Sequence, residues 1–448
     1  MIANPFLFGS PIRDREHFFG REIVLRQVMN RLRSMQDSSI IGERRIGKTS
    51  LLYYIQHPDV IHYYGLEAEK YLFVYFSFDG AGYLTPTRFW QRLLHSLQPR
   101  VNNQTLLSEI ERLLAMDEID PFDIEDLFLA ISSKDLRVVF LLDEFETVTQ
   151  ATNLDADFFS HLRSLATGHY IGLIFVTSSR QKLSELSHTG IVGSPFFNIF
   201  ETFFLKPFRP ESATEAVTKL LSGTEVSFDP QEMAYLLSIT GQHPFFLQMA
   251  ASYLFDAYTL HNLKGERLRP ARLERVEQEF ILQATPHFDH YWKQSSNPEK
   301  IFLAALAVIT TYNGESGWPD MQRMKQAYRN ADISAQTLED RGLVLRELGG
   351  YRIFSPAYSR WIMEEITRKS GHGDYQAWLN QNGGDYGGQL QLLYERAKEI
   401  GSAVNSKYWN QITEWLSKSS EAGEIINHLT KDVSQIKNQP IWLSFVGA

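Results

Sequence analysis

The amino-acid sequence predicts an α/β fold, in which a five-stranded parallel sheet is followed by helical segments. Five apolar runs have the length and composition of buried strands. Segments of helical period separate them, among them PTRFWQRLLHSL, FDIEDLFLAI and DFFSHLRSL. Because alternating strands and helices favour parallel pairing, we expect helices on both faces of one sheet. The predicted strands lie at 38–41, 70–80, 137–146, 171–180 and 201–208.

Composition narrows the classes of protein that fit this chain. With 448 residues it exceeds a single domain of about 150 residues, so we expect roughly three units. The net charge of −9 argues against a surface that coats a polyanion, and the lack of cysteine excludes disulfides, thiolate zinc sites and cysteine nucleophiles. The N-terminal residues lack an apolar core of signal-peptide length, and no run of about 18 apolar residues occurs. We therefore expect a cytoplasmic protein without membrane spans.

The loop after the first predicted strand carries a phosphate-binding pattern. Gly42, Gly47, Lys48 and Thr49 fit the spacing G-x-x-x-x-G-K-S/T, and Ser50 adds a second hydroxyl. In such a loop the glycines let backbone N–H groups surround a phosphate, and the lysine neutralises the β and γ phosphates. The threonine hydroxyl is a ligand for magnesium. The spacing thus predicts a site for a magnesium-bound nucleotide, with Ser50 among the cofactor-binding residues.

Two further features of this loop leave alternatives open. Arg44 and Arg45 stand inside it, and loop arginines are more often solvated than catalytic, so they are interpreted only as neighbours of the phosphates. A lysine-bearing surface turn would share the same pattern. The apolar strand before the loop and the helix KTSLLYYIQ after it favour the phosphate site, because the helix N-terminus would face the anion.

Carboxylates follow another predicted strand, as a nucleotide site requires. The run RVVFLLDEFE reaches Asp143 and Glu144. Asp143 would hold the magnesium through water, and Glu144 would orient or deprotonate the attacking water. Two carboxylates could instead begin a solvated turn, but this alternative weakens beside the loop motif. The run IGLIFVTSSR also ends in polar residues, so Arg180 is predicted near the γ-phosphate as a sensor.

These motifs, in this order, resemble the signal-transducing branch of the P-loop ATPases called STAND, and particularly its prokaryotic AAA-like members. The resemblance covers roughly residues 4–369. FFGRE matches the short motif that precedes the P-loop in this branch and in origin-recognition ATPases, which implies that Phe19 and Arg21 lie near the adenine. The resemblance also implies a sheet in which the sensor strand lies between the P-loop strand and the carboxylate strand. It supports Arg180 as the reader of the nucleotide state.

The stretch GQHPFF is similar to the glycine–proline motif of the family's helical subdomain. By this comparison Pro244 would contact adenine and ribose, and His243 would reach a phosphate. A helix-capping or surface position is an equally good interpretation of His243. The chain departs from the family at Glu43, where relatives commonly show proline, so an acidic side chain comes close to the phosphates. Spacing identifies no second arginine finger.

The resemblance and the helical periods together predict four domains. We expect a P-loop ATPase domain at 1–209, a helical lid at 210–296, a winged-helix domain at 297–370 and an all-α C-terminal module at 371–448. The lid includes a segment of helical period at 270–283. The winged-helix order rests on helical segments at 298–310, 320–330 and 334–343, a hairpin turned by Gly349–Gly350 and a last helix at 357–366. In the C-terminal module, tryptophans would fill a small core or form a docking face.

Three functions are compatible with these residues. The leading one is a switch that binds ATP and Mg²⁺, hydrolyses ATP slowly and exchanges ADP for ATP to release the lid and winged helix. It would self-associate in the ATP state and engage a separate effector protein through the C-terminal module, and prokaryotic defence is one setting for such a switch. The alternatives are a DNA-associated AAA+ ATPase that uses its winged helix on duplex DNA, and a scaffold that holds ADP permanently. The candidate recognition helix is poor in cations, which disfavours nucleic acid.

Overall fold

The chain forms two compact units. The computed structural model describes residues 3–81, 83–168, 172–191, 193–312, 319–322, 324, 331–347, 349–370 and 441. Gly9–Lys206 make up the first unit, and Met1–Phe8 with Pro207–Ala448 make up the second. The N-terminal segment belongs to the second unit because the Asn4 amide donates to the Ser252 carbonyl at 3.1 Å and to Asp256 Oδ1 at 2.9 Å.

The first unit contains the predicted five-stranded sheet, and all of its strand pairs are parallel. The strand order is β2-β3-β4-β1-β5, so the sensor strand β4 lies between the carboxylate strand β3 and the loop strand β1, as the resemblance implied. Ile41 pairs with Ser179 and Leu142 pairs with Thr177, which brings the carboxyl ends to one edge. The strands are β1 Ser38–Ile41, β2 Tyr71–Ser77, β3 Arg137–Asp143, β4 Leu173–Ser179 and β5 Glu201–Phe204.

Helices cover both faces of this sheet, which confirms the predicted α/β architecture. Alternate residues of β3 and β4 point to opposite sides, and Phe140 and Phe175 belong to one core cluster while Leu141 and Val176 belong to the other. The first cluster is completed by α4, α5, α6 and α8, and the second by α1, α2 and α3. The helices are α1 Glu22–Arg33, α2 Lys48–Ile55, α3 Pro58–Tyr63, α4 Pro86–Leu97, α5 Gln104–Leu114, α6 Pro121–Ser132, α7 Glu146–Gln150, α8 Ala156–Thr167 and α9 Leu183–Leu186.

The second unit is mainly helical. Its helix α13 is longer than the segment 270–283 that the sequence predicts, because it continues past Pro286 to Gln294. Phe288 and Tyr291 in this extension are fully buried, and their packing outweighs the proline. The helices are α10 Pro210–Leu221, α11 Pro230–Thr240, α12 Pro244–Thr259, α13 Arg269–Gln294, α14 Asn297–Tyr312, α15 Ala331–Arg341 and α16 Pro356–Ser370.

A two-stranded hairpin lies between α15 and α16. Val344–Glu347 forms β6 and Gly350–Ile353 forms β7, and the two strands pair antiparallel. The helix predicted at 320–330 falls mostly outside the described residues, so the winged-helix assignment stays a prediction. The C-terminal module lies outside them as well, apart from Ile441. None of the described helices is both long and apolar enough to cross a lipid bilayer.

The segments predicted as lid and winged helix are joined by tight packing within the second unit. Gly241 ends α11 with φ 58°, and a Cβ at this position would lie 2.1 Å from the carbonyl oxygen of Phe354. The Ser355 hydroxyl donates to the carbonyl of Ile239. Only glycine tolerates both the left-handed backbone and this close approach. The two predicted domains therefore share one packed interior.

Candidate nucleotide-binding site

The glycine loop connects β1 to α2, and its glycines are required by geometry. A Cβ on Gly42 would lie 2.7 Å from Ile46 Cγ2 and 3.0 Å from the carbonyl oxygen of Leu205. Gly47 has φ 103° and occupies the N-cap position of α2 without any side-chain cap. The N–H groups in the first turn of a helix have no intrahelical acceptor, so an uncapped N-terminus suits an anion. The loop is thus built as a phosphate cradle.

Lys48 is buried and turned onto its own loop. The residue is 5% exposed. Its Nζ donates to the carbonyl of Gly42 at 2.9 Å and to that of Glu43 at 3.4 Å. A buried ammonium gains more from a charged acceptor than from carbonyls, so phosphate oxygens fit this position. Glu43, the departure from the family pattern, is also 5% exposed. Arg45 is exposed and donates to the carbonyl of Gly9 at 3.1 Å.

Two other predicted binding residues, Arg21 and Ser50, form hydrogen bonds with backbone groups in or near the loop. Arg21 donates from Nη1 to the Lys206 carbonyl at 2.7 Å and from Nη2 to the Ile46 carbonyl at 2.9 Å. Burial lowers the pKa of its guanidinium to about 10, which leaves it charged at neutral pH. The Ser50 hydroxyl accepts from the N–H of Ile12 at 3.0 Å. The structure therefore gives Arg21 a role in loop geometry that its motif did not indicate.

The two aromatic residues of the FFGRE motif are both half-buried. Phe18 stacks on Tyr54 of α2 with ring centroids 4.2 Å apart, and Phe19 is partly exposed. The proximity of Phe19 to adenine stays a prediction. The packing of Phe18 fixes the motif against the helix that follows the loop.

Asp143 gathers four hydrogen-bond donors at the end of β3. Oδ2 accepts from the Thr49 hydroxyl at 2.6 Å and from the Tyr75 hydroxyl at 3.1 Å. Oδ1 accepts from the Ser178 hydroxyl and from the N–H of Glu144 at 3.2 Å. Thr49 and Asp143, the predicted magnesium residues, are therefore in direct contact. Tyr75 was not predicted, although its place near the end of β2 puts it at the same edge of the sheet.

This pair of oxygen donors fits a magnesium ion. Mg²⁺ takes hard oxygen ligands, and it is commonly held by one or two carboxylates together with waters and substrate phosphates. A hydroxyl and a carboxylate that already touch provide the protein's share of such a set. Within the described residues, no group of three histidines, aspartates or glutamates forms a complete metal cage. The arrangement suits a metal that arrives with its nucleotide.

Glu144, the predicted water-activating residue, has an unusual backbone and an altered pKa. Its φ is 52°, a left-handed conformation that few non-glycine residues adopt. Burial, together with the nearby carboxylates of Glu146 and Asp143, raises the pKa of its carboxyl to about 7 against the opposing effect of Lys48. Such strain and a base with a pKa near neutrality are both typical of active sites.

Arg180, the predicted sensor, is paired with a residue that the sequence motifs did not indicate. Its Nε donates to Glu146 Oε1 at 2.9 Å, and its backbone N–H reaches the same oxygen at 3.3 Å. The Glu146 side chain is 4% exposed and that of Arg180 is 29% exposed. In the sequence, Glu146 is marked only as the acidic residue that follows DEF in the run RVVFLLDEFE.

The glycine–proline motif lies in the second unit. Pro244 is the first residue of α12, and His243 precedes it at the N-cap position without a side-chain cap bond. His243 is 3% exposed, its Nε2 is 3.3 Å from the Tyr291 hydroxyl, and its ring lies 4.8 Å from that of Phe246. These contacts place the imidazole in the packed interior of the second unit, and its contact with a phosphate stays a prediction.

The sequence of this chain matches a known protein family. A family described as Novel STAND NTPase 2 matches residues 34–305, which is more than half of the sequence. The chain belongs to this STAND NTPase family. The matched region of this STAND NTPase includes the glycine loop, Asp143, Glu144 and the sensor strand. The protein is accordingly a P-loop ATPase, as the sequence predicted.

Solved structures share its fold at low sequence identity. The Walker-type ATPase PABY2304 of Pyrococcus abyssi is 14% identical with a TM-score of 0.51, over 79% of this chain and 98% of that one. The ORC2 protein of Aeropyrum pernix, in ADPNP–ADP complexes, is 15% identical with a TM-score of 0.51, over 81% and 100% of the two chains. No curated protein matches this STAND NTPase. The likeness to both structures concerns the fold alone.

Proposed function

We propose that this STAND NTPase is a signalling switch controlled by ATP and ADP. It binds ATP with Mg²⁺ at the glycine loop and hydrolyses it slowly through Glu144. In the ATP state it changes conformation or self-associates to engage a separate effector protein. The observation that carries this proposal is the contact of Thr49 with Asp143 directly after a glycine loop onto which the buried Lys48 folds, in a chain of a STAND family.

The residues divide the work of binding and hydrolysis among them. Lys48 and the first-turn N–H groups of α2 would hold the phosphates, while Thr49 and Asp143 would hold the metal. The metal would neutralise charge on the phosphates. Glu144 would position the attacking water, and Arg180 would respond to the γ-phosphate. Pro244 is proposed to contact the base, as the family motif implies.

A switch also needs a free-energy difference between its two nucleotide states. Moving a population from 1:99 to 99:1 takes about 5.5 kcal/mol of differential binding. Contacts made only with the γ-phosphate supply such a difference, because ADP lacks that group. Arg180 is the proposed source of one such contact.

A DNA-binding role has less support from the described residues. Helix α15 would be the recognition helix of a winged-helix domain, and its single basic residue is Arg341. Arg341 is 4% exposed and donates to Glu299 Oε1 at 2.9 Å, so its charge is already neutralised. The same helix carries Glu339 and Asp340. DNA-backbone binding depends on exposed cations, which the helix over 331–341 does not offer.

The switch is tested by measuring the size of the full chain in solution with ADP, with ATP and without nucleotide. We expect light scattering to show a compact or small species with ADP and a larger or differently shaped one with ATP. Lys48→Ala should abolish both the binding of nucleotide and the change in size. A size that is independent of nucleotide, together with tightly held ADP, would point to a scaffold. Salt-dependent binding of duplex DNA in a fluorescence titration would favour the DNA-associated alternative.

A further inference from the structure

Glu146 is a buried acidic residue beside the site to which the motifs assign no role. Its Oε1 accepts both the Nε–H and the backbone N–H of Arg180, at 2.9 Å and 3.3 Å. Within the part of the chain that the structure describes, its Oε2 is buried and has no hydrogen-bond partner. Leaving one oxygen of a buried carboxylate unsatisfied costs stability. Two donors of Arg180 therefore hold a carboxylate whose other oxygen is left without a bond among the described residues and which lies beside Glu144, where it raises the pKa of the Glu144 carboxyl.

The backbone fixes where this pair lies. Glu146 begins α7, which Glu144 and Phe145 separate from the end of β3, and Arg180 follows the last residue of β4. The N–H of Phe145 donates to the Ser178 carbonyl at 2.9 Å, which ties the segment before Glu146 to the sensor strand. The N–H of Gly42 donates to the Ser179 carbonyl at 3.2 Å, so Arg180 follows a residue bonded to the glycine loop. The pair is thus held at the edge where phosphates would bind.

We propose that Glu146 is a positioning residue whose charge competes with the terminal phosphate of a nucleoside triphosphate for Arg180. This inference rests on the proposed function, in which Arg180 responds to the γ-phosphate. A guanidinium uses the same planar donors for a carboxylate and for a phosphate, so binding one weakens its hold on the other. A diphosphate lacks the competing group and leaves the pair closed.

Glu146 therefore lowers the affinity for a triphosphate while leaving the affinity for a diphosphate unchanged. The ratio of the two affinities decides how readily a switch passes from one state to the other. A buried carboxylate on the sensor makes the ADP state harder to leave. The triphosphate must therefore break the ion pair between Glu146 and Arg180 before Arg180 can bind its terminal phosphate.

The test is isothermal titration calorimetry on the full chain with Mg²⁺, using ADP and a non-hydrolysable ATP analogue. Glu146→Gln keeps the size of the side chain and removes its charge. We expect it to tighten binding of the analogue by about tenfold and to change ADP affinity by less than about twofold. Glu185→Gln, an exposed glutamate beyond the same strand, is the matched control and should alter neither affinity.

A double-mutant cycle shows whether the effect passes through Arg180. Arg180→Gln should weaken the analogue selectively, and adding Glu146→Gln to it should change nothing further. If Glu146→Gln leaves the ratio of affinities unchanged, or weakens the analogue alone, competition is disproved. Thermal denaturation checks that each variant is folded. Should Glu146→Gln fail to fold, Glu146→Asp shortens the reach by one methylene and should shift the ratio in the same direction, and an unchanged ratio there also rejects the proposal.

Failure of the proposed function would look different from failure of this inference. If the wild-type chain binds neither nucleotide, or if Lys48→Ala binds both as well as wild type does, the proposed function and the inference fall together. If wild type binds both, Lys48→Ala binds neither, and Glu146→Gln leaves the ratio unchanged, only the competition is wrong.

Discussion

The hydroxyl of Thr49 lies 2.6 Å from Oδ2 of Asp143, so a residue of α2 and a residue of β3 meet directly. This contact joins the glycine-loop motif to the carboxylate motif, which are far apart in the sequence. It also makes the proposed metal site partly preformed, because the two oxygens need not be brought together when the nucleotide arrives.

The first prediction concerns this contact. Thr49→Val keeps the shape of the side chain and removes the hydroxyl, so Asp143 loses a donor and the metal loses a ligand. We expect affinity for the Mg²⁺-bound triphosphate to fall by at least about ten- to a hundredfold, since the loss of a residue that merely supports a metal ligand already costs that much. Affinity measured in excess chelator should change much less. Calorimetry with and without Mg²⁺ gives both values, and equal losses in the two conditions would count against a metal role.

The second prediction concerns Glu144. Glu144→Gln removes the carboxylate that would activate water and leaves the phosphate and metal contacts in place. We expect nucleotide binding to be retained and turnover to fall by about 10²–10⁴-fold, the usual contribution of a general base. Steady-state phosphate release measures turnover, and calorimetry checks binding. Turnover that survives in this variant would remove Glu144 from the mechanism.

The third prediction concerns Tyr75, which donates to the same oxygen of Asp143 as Thr49 does, at 3.1 Å. Burial and the neighbouring Asp143 carboxylate raise the pKa of its hydroxyl, so it remains a donor at neutral pH. Tyr75→Phe should leave Asp143 less restrained. We expect the Mg²⁺ concentration needed for half-maximal nucleotide binding to rise by about tenfold or less. The concentration of Mg²⁺ at half-maximal nucleotide binding is the quantity to measure. Tyr83→Phe, at an exposed tyrosine, provides a comparison that should show no shift.

The fourth prediction concerns Asp37, a buried residue just before β1. Its Oδ1 accepts the N–H of Phe175 at 2.7 Å, and burial raises the pKa of its carboxyl from 3.8 to about 7. The folded state therefore holds this proton more tightly than the unfolded state does. The stabilisation is fully present below pH 4 and is lost as the pH rises to about 7.

Asp37→Asn keeps an acceptor for Phe175 and removes the charge. We expect this variant to unfold at higher denaturant concentration than wild type at pH 8, by about 2–4 kcal/mol in free energy, and to differ little at pH 4. Denaturant unfolding at both pH values measures the difference. Asp79→Asn replaces an exposed aspartate and serves as the control. If Asp37→Asn has the same free energy of unfolding as wild type at pH 8, burying the charged carboxylate does not destabilise the fold.

Much of the first unit could be predicted because its signals are local. An apolar run of strand length, a glycine loop with a lysine, and acidic residues after a strand each lie within a few positions. Such patterns placed β1, the loop after it and the strand that ends at Asp143 correctly. Helix α4 was predicted with its observed bounds because Thr85 caps it, Pro86 begins it and its apolar residues keep a helical period.

The contacts that the sequence did not reveal depend on strand order and register. Glu146 meets Arg180 only because β3 and β4 are neighbours, and Tyr75 reaches Asp143 only because β2 pairs with β3. Arg21 matched a motif, but its bonds to the backbone of Ile46 and Lys206 depend on distant parts of the chain. Local residue types carry no information about such long-range partners.

The packing around Phe354 limits how the protein can be shortened. Its ring stacks on Phe246 of α12 at 6.1 Å, and Tyr358, four residues later, lies 5.1 Å from Phe288 of α13. A protein that ended at residue 296 would leave those aromatic surfaces bare to water, and exposed apolar patches of this kind promote aggregation. A soluble fragment for crystallisation or spectroscopy must therefore extend through α16.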